Sequence, residues 1–177
     1  MTHSDSRRRL AALIRDIPDF PRPGIVFKDI TPLLRDRDGL RIACELLAAP
    51  YLERDVDLVV GIESRGFIFG APVALALGAG FSVARKEGKL PGKTVATSYA
   101  LEYGDAAIEL QRDAVAAGQR VLLVDDVIAT GGTAAATARL VRELGGVVVG
   151  ASFLIELAFL GGRKALEGTP VEALLRF

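Results

Sequence analysis

The sequence predicts an α/β domain built on a central, mainly parallel sheet with helices on both faces. Three stretches carry that prediction: 121–124 (VLLV) is apolar on consecutive residues, and 57–62 (DLVVGI) and 147–155 (VVVGASFLI) are nearly so and read as buried strands. Both faces of such strands must be covered, as they are in the middle of a parallel sheet. Polar and glycine-rich segments follow the first two, Glu63 to Gly66 and Asp125 to Thr133. These segments sit at the carboxyl edge of the strands, where ligands bind in open α/β sheets.

Taken in order, Leu10, Leu13, Ile14 and Ile17 recur at helical spacing and predict a first helix ending before Pro18. Pro18, Pro21, Pro23 and Gly24 make 17–28 irregular, a loop pinned by Phe20, Ile25, Val26 and Phe27. Leu40, Ala43, Cys44 and Leu47 stripe another helix, broken near Pro50. After the first buried strand, 66–84 is nearly uncharged. Its glycines and Pro72 argue for a buried helix and then a buried strand at 81–84, rather than a membrane span. The segment 85–94, RKEGKLPGKT, sets four cations against one acid. By composition it is either a solvated turn or a mobile anion-binding loop. In 98–110, Tyr99, Leu101 and Tyr103 alternate with Ala100 and Glu102, which predicts a β-hairpin arm. Thr133 is read as the N-cap of a helix over 134–144, stopped by Gly145 and Gly146. The last residues, 171–177, read as a short edge strand.

A chain of 177 residues that is 50% hydrophobic suits one domain with a substantial core. Its 22 acidic and 22 basic residues balance, so no global field recommends nucleic acid or an anionic membrane as partner. The single cysteine, Cys44, excludes an intrachain disulfide and suits a reducing compartment. The polar, arginine-rich beginning has no apolar signal core, and a cytoplasmic location is expected.

The chemistry concentrates in 121–133, VLLVDDVIATGGT. Gly131 and Gly132 allow close backbone approach to a ligand, and the N–H groups of a starting helix favour an anion such as phosphate. Asp125 and Asp126 stand just before this site, so the ligand must also present hydroxyl donors or a cation. A ribose 5-phosphate meets both demands, with phosphate on Ala129, Thr130, Gly131, Gly132 and Thr133 and hydroxyls on Asp125 and Asp126. Neither a P-loop ending in Lys-Ser/Thr nor a G-x-G-x-x-G fingerprint is present. Arg65, on a tight Ser-Arg-Gly turn, offers a fork of donors to an anionic oxygen, the alternative being an ion pair with Glu63.

The 121–133 stretch resembles the ribose-phosphate motif of type I phosphoribosyltransferases. The segments 17–34 (IPDFPRPGIVFKDITPLL), 61–70 (GIESRGFIFG), ARKEGKLPG, SYALEYG and ELAFLGGRKAL are similar to those of adenine phosphoribosyltransferases. The resemblance implies a hood over the ligand edge made from 17–34 and about 85–110. It implies adenine bound by backbone groups of Val26 and Lys28 and by the Phe27 ring, with Lys28 standing where the family often has Arg. Arg65, Arg85, Lys86 and Lys89 would neutralise pyrophosphate. Glu102 on the hood would handle the adenine proton beside Tyr103. The implied reaction converts adenine and phosphoribosyl pyrophosphate to AMP and pyrophosphate in purine salvage, with Mg²⁺ held mainly by substrate and water, in a homodimer. Two alternatives stay open: a phosphoribosyltransferase for 6-oxopurines or another base, and a non-catalytic ligand-sensing regulator.

Overall fold

The computed structural model describes residues 3–101 and 104–177. The elements are α1 (His3–Ala12), β1 (Arg15–Pro18), β2 (Val26–Asp29), α2 (Thr31–Arg35), α3 (Arg37–Ala48), β3 (Leu58–Ile62) and α4 (Gly66–Leu77). They continue with β4 (Gly80–Lys86), β5 (Thr94–Leu101), β6 (Gly104–Gln111), β7 (Arg120–Ile128), α5 (Gly132–Glu143), β8 (Val147–Glu156) and β9 (Val171–Arg176). The main sheet has seven strands in the order β5-β6-β4-β3-β7-β8-β9. Its β4 to β9 portion is parallel, and β5 and β6 run antiparallel at one edge.

The apolar runs fold as their pattern requires. Along β7, Leu122 and Val124 face α3 and α4, where they pack with Leu47, Phe69 and Val73. Val121 and Leu123 face the opposite side and pack with Leu140 and Val141 of α5. All four β7 side chains are fully buried. Alternation along one strand thus feeds two cores, and removing a side chain such as Leu122 costs about 2 to 5 kcal/mol.

Four local expectations are corrected. The first helix stops at Ala12, and Ile17 lies on β1, which pairs antiparallel with β2. The proline-rich loop is therefore the tip of a two-stranded ribbon, braced by the edge-on contact of Phe20 with Phe27 at 5.3 Å. Ribbon pairing satisfies backbone groups that composition alone left without partners. At α5 the N-cap is Gly131, with φ of 80°, and Thr133 lies inside the first turn. A left-handed residue suits the tight entry better than a hydroxyl cap. Asp125 and Asp126 lie within β7, which runs on to Ile128, rather than after it. Finally, α4 is buried on one side only: Phe69 and Val73 are enclosed, while Leu75 is 83% exposed. The predicted hairpin arm is present and continues the sheet, its base held by buried Val95, Ile108 and Leu110.

Candidate active site

The carboxyl ends of β3 and β7 open into a cavity of about 460 Å³. Val26, Phe27 and Lys28 of β2 close one side, and Glu63, Ser64 and Arg65 come from the turn after β3. Asp125, Asp126, Ala129 and Thr133 form the floor, with Lys86 and Leu157 at the margins. A smaller hollow of about 170 Å³ adjoins it, lined by Asp125 and the loop that includes Ala129, Thr130, Gly131, Gly132 and Thr133. The α5 helix begins at Gly132, so its first N–H groups lack helical acceptors and face that loop, a ready anion site.

The two aspartates differ. Asp126 is 4% exposed, and its carboxylate receives the Arg65 Nε–H. Asp125 accepts the Asp126 backbone N–H at 2.8 Å and lies against Gly66, where a Cβ would approach its Oδ1 to 2.9 Å. Burial, and next the neighbouring Asp126 charge, push the Asp125 carboxyl well above its ordinary range. The floor of the cleft thus joins one ion-paired carboxylate to one that burial keeps short of charge-stabilising partners.

The cations expected to serve pyrophosphate separate into two kinds. Arg65 is tied to Asp126, not to Glu63, and its guanidinium lies 5.6 Å from the Phe27 ring centre. Glu63 instead receives Arg85 Nε at 3.1 Å and the Lys86 N–H at 3.0 Å. Arg85 also donates to the Lys89 carbonyl at 3.0 Å. Both arginines are therefore internally paired, because carboxylates with little solvent exposure lie within reach. Among the described residues, the ammonium groups of Lys86 and Lys89 have no carboxylate partner.

Lys28 is resolved by its surroundings. Its Nζ donates to Asp16 at 2.8 Å and lies 4.2 Å from the centre of the Phe177 ring. The side chain braces the β1–β2 ribbon, and the same residue lines the cavity. Glu102 and Tyr103 lie outside the described residues.

Sequence reasoning missed two participants. Glu109 is 3% exposed on β6 and accepts the N–H groups of Lys89 and Leu90 at 3.0 and 2.9 Å. Burial alone would raise its pKa, but these N–H donors and the Thr94 hydroxyl bring it below the ordinary carboxylate range. It staples the base of the cationic loop, and its signal was a charge set between buried Ile108 and Leu110. Leu157, directly after β8, also lines the cavity.

The family model described as phosphoribosyl transferase domain matches residues 33–167. The chain is 58% identical to the adenine phosphoribosyltransferase of Thermobifida fusca (strain YX), over 91% of this chain and 92% of that protein. It is similar to the crystal structure of the Rhodothermus marinus adenine phosphoribosyltransferase, with a TM-score of 0.94 and 54% identity over 98% and 99% of the two chains. The Saccharomyces cerevisiae adenine phosphoribosyltransferase, solved with an imino-altritol bisphosphate and adenine, superposes with a TM-score of 0.91 at 40% identity, over 97% and 99% of the chains. On these grounds the chain belongs to the phosphoribosyltransferase family, among the adenine phosphoribosyltransferases.

Proposed function

We infer that this chain transfers the 5-phosphoribosyl group from phosphoribosyl pyrophosphate to adenine, releasing AMP and pyrophosphate in purine salvage. The observation that carries the reading is continuity: the 460 Å³ cavity under β2 and the hollow at the start of α5 share Asp125, Ala129 and Thr133. One ligand can therefore span base, sugar and phosphate. In this reading Ala129, Thr130, Gly131, Gly132 and Thr133 hold the 5'-phosphate, Asp125 and Asp126 accept from the ribose hydroxyls, and Val26, Phe27 and Lys28 receive adenine. Lys86 and Lys89 neutralise the departing pyrophosphate, and Arg65 and Arg85 join them by exchanging their carboxylate partners for phosphate oxygens.

The sugar carbon passes through an oxocarbenium-like state, as in glycoside chemistry, and adenine N9 captures it, so no protein nucleophile is needed. Glu102, by family resemblance, takes the adenine proton when the hood closes. Mg²⁺ dehydrates reluctantly, so in this reading it would be held mainly by substrate oxygens and water. When bound, it spreads the negative charge of the pyrophosphate.

A homodimer is part of the proposal, supported by the uncovered apolar face of α4, where Leu75 and Ile68 are 83% and 40% exposed. No helix among the described residues is long and apolar enough to cross a membrane. A cytoplasmic enzyme without a nucleic-acid partner fits the balanced charge. Offering adenine, hypoxanthine, guanine, xanthine and orotate separately with phosphoribosyl pyrophosphate and Mg²⁺ tests the assignment. Turnover of adenine alone is expected, and preference for any other base would overturn it.

A further inference from the structure

The loop at the start of α5 does not hold its shape alone. Gly131 has a φ of 80°, and a Cβ on it would lie 2.2 Å from the Gly162 carbonyl oxygen. The relation is reciprocal: a Cβ on Gly162 would lie 2.2 Å from the Ala129 carbonyl oxygen and 3.0 Å from the Gly131 nitrogen. Two bare stretches of backbone interlock, and backbone, unlike a flexible side-chain end, cannot swing aside.

The far half of this interlock is a short 3-10 turn, Gly162–Leu166. It is fastened on one side by Leu166, which is 3% exposed in the core. On the other, Arg163 forks onto Glu156, Nε to Oε1 at 2.8 Å and Nη2 to Oε2 at 2.9 Å. Its third nitrogen, Nη1, donates to the Val171 carbonyl at 2.5 Å. Glu156, at the end of β8, is itself 5% exposed. A planar guanidinium that meets a buried carboxylate with two donors and a strand carbonyl with a third is held in one orientation. Arg163 lines neither the cavity nor the hollow.

We propose that Gly162 and Arg163 are positioning residues for the sugar phosphate: the Arg163–Glu156 fork fixes the 3-10 turn, and the turn's bare backbone at Gly162 sets the anion-binding shape of the 129–133 loop. This rests on reading that loop as the 5'-phosphate site. Adenine recognition, on β2, lies outside the interlock.

Ribose 5-phosphate is the probe, because it lacks pyrophosphate and reports on the loop alone. Calorimetric binding by the wild-type protein, competitive with phosphoribosyl pyrophosphate, is expected; its absence would sink the loop reading itself. Given that binding, Gly162→Ala is expected to weaken ribose 5-phosphate and raise the KM for phosphoribosyl pyrophosphate by about tenfold or more, since displacements near 1 Å can cost a hundredfold. The KM for adenine stays close to wild type. Arg163→Met shows the same selective rise in smaller degree, and Arg163→Lys restores part of it. Gly168→Asn, at a φ of 78° with open space around its Cβ, changes neither constant. Urea unfolding accompanies each variant. If Gly162→Ala fails to fold, the Arg163 pair decides: lower stability with both KM values unchanged, or equal rises in both, would overturn the proposal.

Discussion

Replacing Asp125 and Asp126 separately by Asn should move stability in opposite directions and substrate use in the same one. The Asp126 side chain is 6% exposed and bonds to Arg65, whose side chain is 44% exposed. A hydrogen bond between charged groups contributes about 1.5 to 3 kcal/mol, and the solvent around Arg65 reduces this toward about 1 to 2. In a domain of this size 1 kcal/mol corresponds to roughly 2 to 4 °C, so Asp126→Asn should lower Tm by about 2 to 8 °C. Asp125→Asn should raise it. Its folded pKa lies above the ordinary 3.8, so the fold favours the protonated acid and ionisation costs stability. That cost is absent below about pH 3.8, grows as pH climbs through the raised pKa, and is then complete. The advantage of Asp125→Asn over wild type should therefore widen from acid to neutral pH. Both variants lose a charged acceptor for the ribose hydroxyls, and kcat/KM for phosphoribosyl pyrophosphate should fall by about 10- to 100-fold. Scanning calorimetry at acid and neutral pH, with steady-state kinetics, reads all of this. A stability gap for Asp125→Asn that shrinks with rising pH would refute the electrostatic account, and unchanged kcat/KM in both variants would remove the ribose assignment.

Glu109→Gln should destabilise the fold by about 1 to 3 kcal/mol at neutral pH, since charged acceptance of the Lys89 and Leu90 N–H groups is lost at a buried site. Because the folded pKa is lowered, that stability is present above about pH 4.5 and lost as pH falls through the lowered value, so the variant and wild type should converge in acid. The 87–93 turn should be cut by protease in the empty enzyme and protected by phosphoribosyl pyrophosphate with Mg²⁺; equal cleavage would count against a closing loop. Glu102→Gln should lower kcat by about 10²- to 10⁴-fold with smaller effects on binding, and a wild-type rate across the pH range would move proton transfer elsewhere.

What could be read from sequence follows the range of the forces involved. The strands β3, β7 and β8 announced themselves because burial on both faces leaves few polar positions in the run, Ser152 being one inside β8. The anion loop did so because glycines next to a helix start have a narrow set of uses. The β1–β2 ribbon stayed hidden, since Arg15 to Pro18 carries no alternation and its pairing is fixed by partners across a loop, Arg15 with Asp29 being fourteen residues apart. The pairing of charges was hidden for the same reason. Glu63 and Arg65 are close in sequence, yet their partners, Arg85 and Asp126, come from other strands. The interlock of Gly131 with Gly162 joins two loops that only the sheet brings together.

Those pairings imply an order of events that charge counting alone would not give. Glu63 holds Arg85 and the Lys86 backbone, and Asp126 holds Arg65, so these carboxylates offset the charge of the two arginines. On the proposed assignment, a pyrophosphate approaching the cleft would first meet the Lys86 ammonium, which lines the cavity and has no carboxylate partner among the described residues. Engaging the arginines then requires their carboxylates to find new donors. On the proposed assignment the ribose hydroxyls are such donors for Asp126, so sugar binding would release the Arg65 guanidinium to the anion while preserving a partner for a side chain that is 6% exposed. For Glu63, the Lys86 N–H at 3.0 Å remains in place when Arg85 leaves. If the assignment holds, the cleft would hand both arginines to the substrate without leaving either carboxylate bare, and the Arg65 exchange would complete only when sugar and pyrophosphate are bound together.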